Sequence, residues 1–355
     1  MTLPYRRASR SALPLVIAAA LLASCSSTPP GQSSPPAAAS GSGSGSAAAK
    51  GLVIGHSYQN LQNQFFSDEL AAERALAQER GHQVIDVQAN NNPAKQLDDV
   101  NSLIARKVDV LAIDAVDPAA IQPALDAAEQ AGIPVISLIA EPKGGKADAL
   151  IYLDSVKDGA NGCQLIVDGL GGTGKVVILT GPLQILAAKQ RADGCRKTLQ
   201  AKPGIKIVAE VNTDYSLRDA EQKMTDVLQA HPEVDAVFGG NDDIALGAIR
   251  ALDSAGQKPA DKVIVGVDGT KAALQAICDG EMTATLATFP KAEALLVMDT
   301  VEKIASKQAF EAKVLFPAVK VDKSNLSDRA VEAGVSLSGC GGGGTSGSAS
   351  ATPTS

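Results

Sequence analysis

Two stretches gather the side chains best suited to grip a small molecule. Gln59-Asn60-Leu61-Gln62-Asn63 stands just ahead of Phe65-Phe66, and Asn241-Asp242-Asp243 follows the apolar run Val234 to Phe238. Amides donate and accept, carboxylates accept, and aromatic faces cover C–H surface. Asp114, Tyr215 and Asp268-Gly269-Thr270 extend the set, each shortly after a run rich in β-branched residues. Such loops, polar but with few net charges, suit a neutral, hydroxyl-rich ligand better than a phosphate or a nucleic acid.

Catalytic chemistry finds little support. Gly169 to Lys175 has the spacing of a phosphate-binding loop, but Val176 stands where Ser or Thr must hold Mg²⁺, and the segment leads into a strand rather than a helix. The three His, at 56, 82 and 231, are not set beside a nucleophile and an orienting group, and no Gly-x-Ser-x-Gly elbow is present. His56 falls within an apolar strand, and all three are read as structural. Asp242 or Asp243 is expected to cap the helix Ile244 to Ala251, with no calcium-loop spacing around the pair. The chain is therefore read as a non-enzyme that needs no cofactor and no metal.

The elements that must position these residues alternate. Strands are expected at 52–55, 84–87, 108–113 and 134–138, with helices at 65–80, from Pro93, and from Asp117-Pro118, which reads as an N-cap followed by Pro at the first helical position. The alternation resumes with strands at 175–179, 205–211, 234–238, 263–265 and 283–287, and helices at 186–200, 217–230 and 243–254. Continuous apolar strands between amphipathic helices imply parallel sheets covered on both faces. Two such runs imply two doubly wound α/β lobes, whose ligands bind beyond the carboxyl ends of the strands.

The two ends read as something other than fold. Arg6, Arg7 and Arg10 precede a short apolar run, Leu13 to Leu22, which ends in Leu22-Ala23-Ser24-Cys25; residues 1–24 read as an export signal. Residues 25–50 are a Ser/Pro/Ala/Gly tether, and 339–355 form a second low-complexity tail. Cys163, Cys195, Cys278 and Cys340 have no zinc spacing. In an oxidising compartment they make either two bridges or buried thiols; the pairing taken among the three available is Cys163–Cys195 and Cys278–Cys340. A net charge of −7 with scattered Lys and Arg excludes nucleic acid as the main partner. The chain has no Trp and ten Phe and Tyr; Tyr58, Phe65, Phe66 and Tyr215 are placed at or beside the ligand.

Five stretches in order resemble one family: Asn63 to Phe66, Gln88 to Gln96 (QANNNPAKQ), Ala131 to Ile136 (AGIPVI), Ala236 to Ala248 (AVFGGNDDIALGA) and Val265 to Thr270 (VGVDGT). Over about residues 51–322 the chain resembles the type I periplasmic sugar-binding proteins of ABC importers, closest to the ribose-binding branch. Leu22 to Cys25 resembles the lipobox of bacterial lipoproteins, which implies an acylated Cys25 and a membrane-anchored, extracytoplasmic protein. The resemblance implies a first lobe of 51–153 plus 290–318, a second of 154–289 plus 319–338, and a three-segment hinge. It implies ligand contacts at Gln59, Asn63, Phe65, Phe66 and Asp114 from the first lobe, and at Tyr215, Asn241 and Asp268 from the second. Of Phe65 and Phe66, one is expected in the core and one in the cleft. Three positions depart from the ribose branch: Ile139-Ala140 replaces an Asp-Arg pair, Lys189 replaces an Arg, and Thr288 replaces a Gln. Losing a bidentate Arg and its Asp removes the strongest contacts to ring hydroxyls, which points to another pentose, a hexose, a polyol or a cyclitol. A monomer that delivers its ligand to an ABC permease is the expected setting, with presentation to a membrane sensor as the alternative.

Overall fold

A computed structural model describes residues 51–340. The export signal, the tether with Cys25 and most of the C-terminal tail lie outside the described residues. Two six-stranded sheets organise the chain. The first is ordered β11-β5-β4-β3-β1-β2, from β1 (Val53–Tyr58), β2 (Gln83–Gln88), β3 (Val110–Asp114), β4 (Val135–Ile139), β5 (Ala149–Tyr152) and β11 (Lys313–Leu315). The second is ordered β12-β10-β9-β8-β6-β7, from β6 (Gly174–Thr180), β7 (Ile205–Asn212), β8 (Ala236–Gly239), β9 (Val263–Asp268), β10 (Ala284–Ala287) and β12 (Val319–Asp322). The order reverses at β1/β3 and at β6/β8, the places where open α/β sheets hold ligands.

Each sheet is buried on both faces, as its continuous apolar strands require. In the first lobe, α1 (Gln64–Arg80) and α9 (Pro290–Ala305) cover one face, where Ile54, Val110, Ile136, Val297 and Met298 pack together. On the other face, α2 (Pro93–Ala105) and α3 (Gln122–Ala131) join Val100, Leu103, Leu111 and Leu125. In the second lobe, α4 (Ser155–Gly169) and α5 (Leu186–Gln200) cover one face, and α6 (Leu217–Ala230), α7 (Asp242–Ser254) and α8 (Lys271–Asp279) the other. The last helix is α10 (Leu326–Ala333). The chain passes between sheets three times: from β5 to α4, from β10 to α9, and from β11 to β12.

Three local outcomes differ from the sequence reading. The helix expected at Asp117-Pro118 starts at Gln122; Asp117 Oδ1 instead accepts from the N–H groups of Ala119 (2.7 Å) and Ala120 (3.3 Å) and holds a turn. Neither Asp242 nor Asp243 caps α7. Asn241 does, accepting from Ile244 N–H at 2.9 Å. Finally, β12 runs antiparallel to β10, so the second sheet is mixed at its edge. Cys163 on α4 is bonded to Cys195 on α5 (Cα–Cα 5.0 Å), and Cys278 to Cys340 (5.6 Å). Among the described residues, no helix is long and apolar enough to cross a membrane.

Candidate ligand-binding site

The carboxyl end of β1 leads through Gln59–Asn63 into α1. Asn63 caps that helix, accepting from Phe65 N–H at 2.9 Å, and this sets the two rings that follow. Phe65 and Phe66 are each 5% exposed and meet edge to face at 5.7 Å; Phe66 also meets Tyr58 at 6.0 Å. Exposure does not divide the pair into one core and one surface ring, although Phe66 is the ring with a second aromatic neighbour. Ile139, ending β4, packs on this cluster at φ +67°, a strained setting for a β-branched residue. Gln59 is engaged within the lobe, donating from Nε2 to the Ala115 carbonyl at 3.1 Å.

Asp114 ends β3 and is fully buried. Its backbone is held by Gln96, whose Nε2 donates to the Asp114 carbonyl (2.8 Å) and to Ser57 Oγ (3.1 Å), while Oε1 accepts from Val116 N–H (2.8 Å). The Gln88–Gln96 stretch thus ties strand ends together, with Asn92 as the N-cap of α2. One Asp114 oxygen, Oδ2, bonds His56; the other, Oδ1, has no partner.

In the second lobe, Asn241 spends its carbonyl oxygen on the α7 cap, leaving its buried Nδ2 without a partner. Asp242 is a brace: it accepts from Gly269 N–H, Thr270 N–H, Thr270 Oγ1 and Thr285 Oγ1 at 2.6–3.1 Å. Burial raises its pKa to about 7 against the pull of those donors. The brace fixes the loop that follows Asp268, whose φ of +133° sets the strand end apart from regular β structure. Asp268 is 5% exposed, with Oδ1 at 3.7 Å from Arg191 Nη1 and Oδ2 unpartnered. Burial pushes its carboxyl well above the usual range, and Arg191 pulls the other way. Tyr215, at φ +71°, lies against Gly181, where a Cβ would stand 2.2 Å from its ring. Thr288 is buried beside the crossover to α9, its N–H donating to the Asp268 carbonyl at 2.9 Å.

Lys189 does not join this group. Its side chain is 57% exposed and pairs with Asp193 at 2.5 Å. The buried cation of α5 is Arg191, which donates to the Gly240 carbonyl at 3.1 Å and keeps a buried, unpartnered Nε. At about 100° per residue, positions two apart on a helix point to nearly opposite sides, which places Lys189 in solvent and Arg191 in the interior. The sequence reading weighed Lys189 and passed over Arg191.

A second omission is His56. It is 0% exposed, with Nδ1 at 2.9 Å from Glu73 Oε2 and Nε2 at 2.9 Å from Asp114 Oδ2. The sequence carried only part of the signal. His56 shares a strand face with Ile54 and Tyr58, and Glu69 and Glu73 stand one turn apart on the buried side of α1.

The lobes touch. Gln64 N–H, at the start of α1, donates to Asp243 Oδ2 of α7 at 3.1 Å. An open cavity of about 550 Å³ is lined by Asn60, Gln62, Asn90 and Asn91 from one lobe and by Gln184, Asn212 and Asp214, among others, from the other; none of the expected ligand contacts lines it. Among the described residues, no group of three or more His, Cys, Asp or Glu is arranged to hold a metal ion.

This geometry has relatives. A family profile described as periplasmic binding protein domain matches residues 54–309. The ribose import binding protein of Bacillus subtilis (strain 168) is 33% identical over 272 residues, covering 77% of this chain and 88% of the relative. Among solved structures, an ABC transporter solute binding protein from Mycobacterium smegmatis with bound glycerol is 35% identical, with a TM-score of 0.71 over 78% of this chain and 96% of that one. A periplasmic solute binding protein from Actinobacillus succinogenes 130z with bound D-allose is 26% identical, with a TM-score of 0.73 over 78% and 99%. The chain belongs to the periplasmic binding protein family, as a non-enzymatic solute-binding member with the two-lobed fold of its type I sugar-binding branch.

Proposed function

We propose that this protein is an extracytoplasmic solute-binding lipoprotein that captures a sugar-like ligand between its lobes and delivers it to an ABC importer. The ligand is a pentose, hexose, polyol or cyclitol. One observation carries the reading: buried polar atoms without protein partners come from both lobes. Among them are Asp114 Oδ1 from the first lobe, and Asn241 Nδ2, Arg191 Nε and Asp268 Oδ2 from the second. A buried unsatisfied polar group costs about 1–3 kcal/mol, and ligand hydroxyls, which donate and accept, would relieve acceptors and donors alike. Phe65, Phe66 and Tyr215 would cover the ligand's C–H faces from the two sides. Relatives that bind glycerol and D-allose support the hydroxyl-rich class. Export and anchoring through an acylated Cys25 rest on the Leu22 to Cys25 motif.

The test is a thermal-shift panel of D-ribose, D-allose, xylitol, glycerol and myo-inositol, followed by calorimetry on the best binder. A ligand at a hundred times its Kd stabilises the native state by about 2.7 kcal/mol. Asp268→Ala should cost about 1.5–3 kcal/mol of affinity, as hydrogen bonds to charged groups do. No shift across the panel would overturn the ligand class, and unchanged affinity in Asp268→Ala would overturn the site.

A further inference from the structure

Behind the first lobe's strand ends lies a buried charge cluster that sugar recognition by neutral groups does not call for. His56 of β1 bridges two carboxylates, Glu73 Oε2 and Asp114 Oδ2, each at 2.9 Å. Tyr58 Oη donates to the same Glu73 oxygen at 2.8 Å, and the Tyr58 ring stacks on the imidazole with centroids 3.8 Å apart. Every one of these side chains is fully buried.

The geometry decides the charge state. A neutral imidazole has one N–H and one lone pair, so one of its nitrogens would face a carboxylate lone pair to lone pair. Glu73 Oε2 also accepts a hydrogen bond from Tyr58 Oη, so it serves as an acceptor on that side of the ring. Two carboxyl partners, one at each ring nitrogen, suit a ring that donates from both, so His56 is read as an imidazolium.

We infer that the Glu73–His56–Asp114 bridge is a specificity device, in which His56 is a positioning residue that holds Asp114 ionised and fixed in orientation so that Oδ1 is presented as an acceptor only. This rests on Asp114 being a ligand contact, as proposed above. Its consequence concerns ligand class. The ligand group at Asp114 must carry a hydrogen to donate, so a free hydroxyl is accepted there and a keto or O-methyl group is refused. A buried polar group left unpaired by a wrong ligand gives strong discrimination.

The surroundings make His56 the critical member. Facing it are Tyr58 on β1, Glu69 and Glu73 on α1, Asp114 on β3 and Glu293 in the first turn of α9, with Arg191 across the cleft acting on Glu293. Among the described residues of this buried cluster, it is the basic group set against Glu69, Glu73, Asp114 and Glu293. Burial alone would lower the His56 pKa, but Glu73 and Asp114 outweigh burial and push it up to about 10. Burial raises Asp114 above its ordinary value, with Glu73 adding to the rise, and His56 offsets part of it. Without the imidazolium, Asp114 would hold a proton to higher pH and would become a donor there.

Two measurements test this. The first needs no ligand and no variant. ¹⁵N-histidine NMR of the wild-type protein should show one of its three His with both ring nitrogens protonated through pH 8. Titration of all three near 6.5 overturns the proposal. The second uses the tightest binder among D-ribose, D-allose, xylitol, glycerol and myo-inositol, with its affinity followed from pH 4.5 to 8.5 in wild type and in His56→Asn. The variant should lose at least tenfold in affinity at pH 7, with the fall on acidification moved to higher pH. Mono-O-methyl derivatives of that binder should include one that binds wild type at least tenfold more weakly and that His56→Asn discriminates less. An unchanged pH profile in a folded His56→Asn overturns the proposal. If nothing in the panel binds, the sugar-binding reading fails, and the NMR measurement still decides the bridge.

Discussion

Gly194→Ala tests whether the α4–α5 contact sets the position of Arg191. The two helices cross so closely that a Cβ on Gly194 would stand 2.0 Å from the Val156 carbonyl oxygen and 3.0 Å from Ala160 N. The mirror contact is as tight, with a Cβ on Gly159 lying 1.9 Å from the Arg191 carbonyl oxygen. Ordinary contact begins near 3.4 Å, so an alanine at 194 must part the helices by about 1.4 Å. Both obstacles are backbone atoms, which no rotamer change can clear, and Cys163–Cys195 ties the helices at the same crossing. Overpacking of this kind costs about 1–3 kcal/mol, and the upper end applies where only backbone can yield. Alanine returns about 1 kcal/mol of helix propensity relative to glycine. The net expectation is a loss of about 2 kcal/mol, or about 4–8 °C in Tm for a lobe of this size. Arg191 lies one turn before Gly194, so ligand affinity should fall as well. Thermal and urea melts read the first effect, and calorimetry the second. Propensity alone predicts a more stable variant. A Gly194→Ala protein at least as stable as wild type would therefore refute the close-crossing argument.

Two further outcomes follow from the site. Lys189→Ala should leave ligand affinity within about 0.5 kcal/mol of wild type, since its exposed pair with Asp193 is worth little; Arg191→Ala should cost at least tenfold in calorimetric Kd. Stability should decline as pH rises from about 4 to about 10. Asp158, Asp242 and Glu293 are raised by burial to about 6, 7 and 8, so the folded state binds more protons than the unfolded one from the ordinary carboxylate range up to those values. His56 adds stability that is complete below about 6.5 and lost as pH passes its folded value of about 10. Thermal melts across this range check the slope, and Glu293→Gln should flatten its lower part; a Tm that rises from pH 5 to pH 8 would contradict the assignment.

Nine of the twelve described strands were legible because apolar β-branched runs buried on both faces leave few alternatives; the short strands β5, β11 and β12 were not. The helices 186–200 and 217–230 appear in the structure with the expected limits. Position within an element was harder to read. Lys189 and Arg191 both fall at the start of α5, and only the helical angle separates the exposed cation from the buried one. Asp242 and Asp243 looked like capping residues by type, yet Asn241, one residue earlier, takes the cap and frees Asp242 to brace β9 and Asp243 to meet the other lobe. The His56 cluster joins residues from β1, α1, β3 and α9 that are far apart in the chain. No local window carries that pairing, and His56 alone reads as a core histidine.

The interleaving of the lobes also has a consequence in time. The first sheet keeps its edge strand β11 and half of one helical layer, α9, until after the whole body of the second lobe; the second waits for β12 and α10. During synthesis from the N-terminus, neither lobe can close its core before the last elements emerge. The unfinished first lobe would leave Ile54, Val110 and Ile136 uncovered by Val297 and Met298, a surface prone to association rather than to folding. Completion is thus nearly simultaneous for both halves and late in the chain. A nascent chain of this kind stays without a closed core for most of its length.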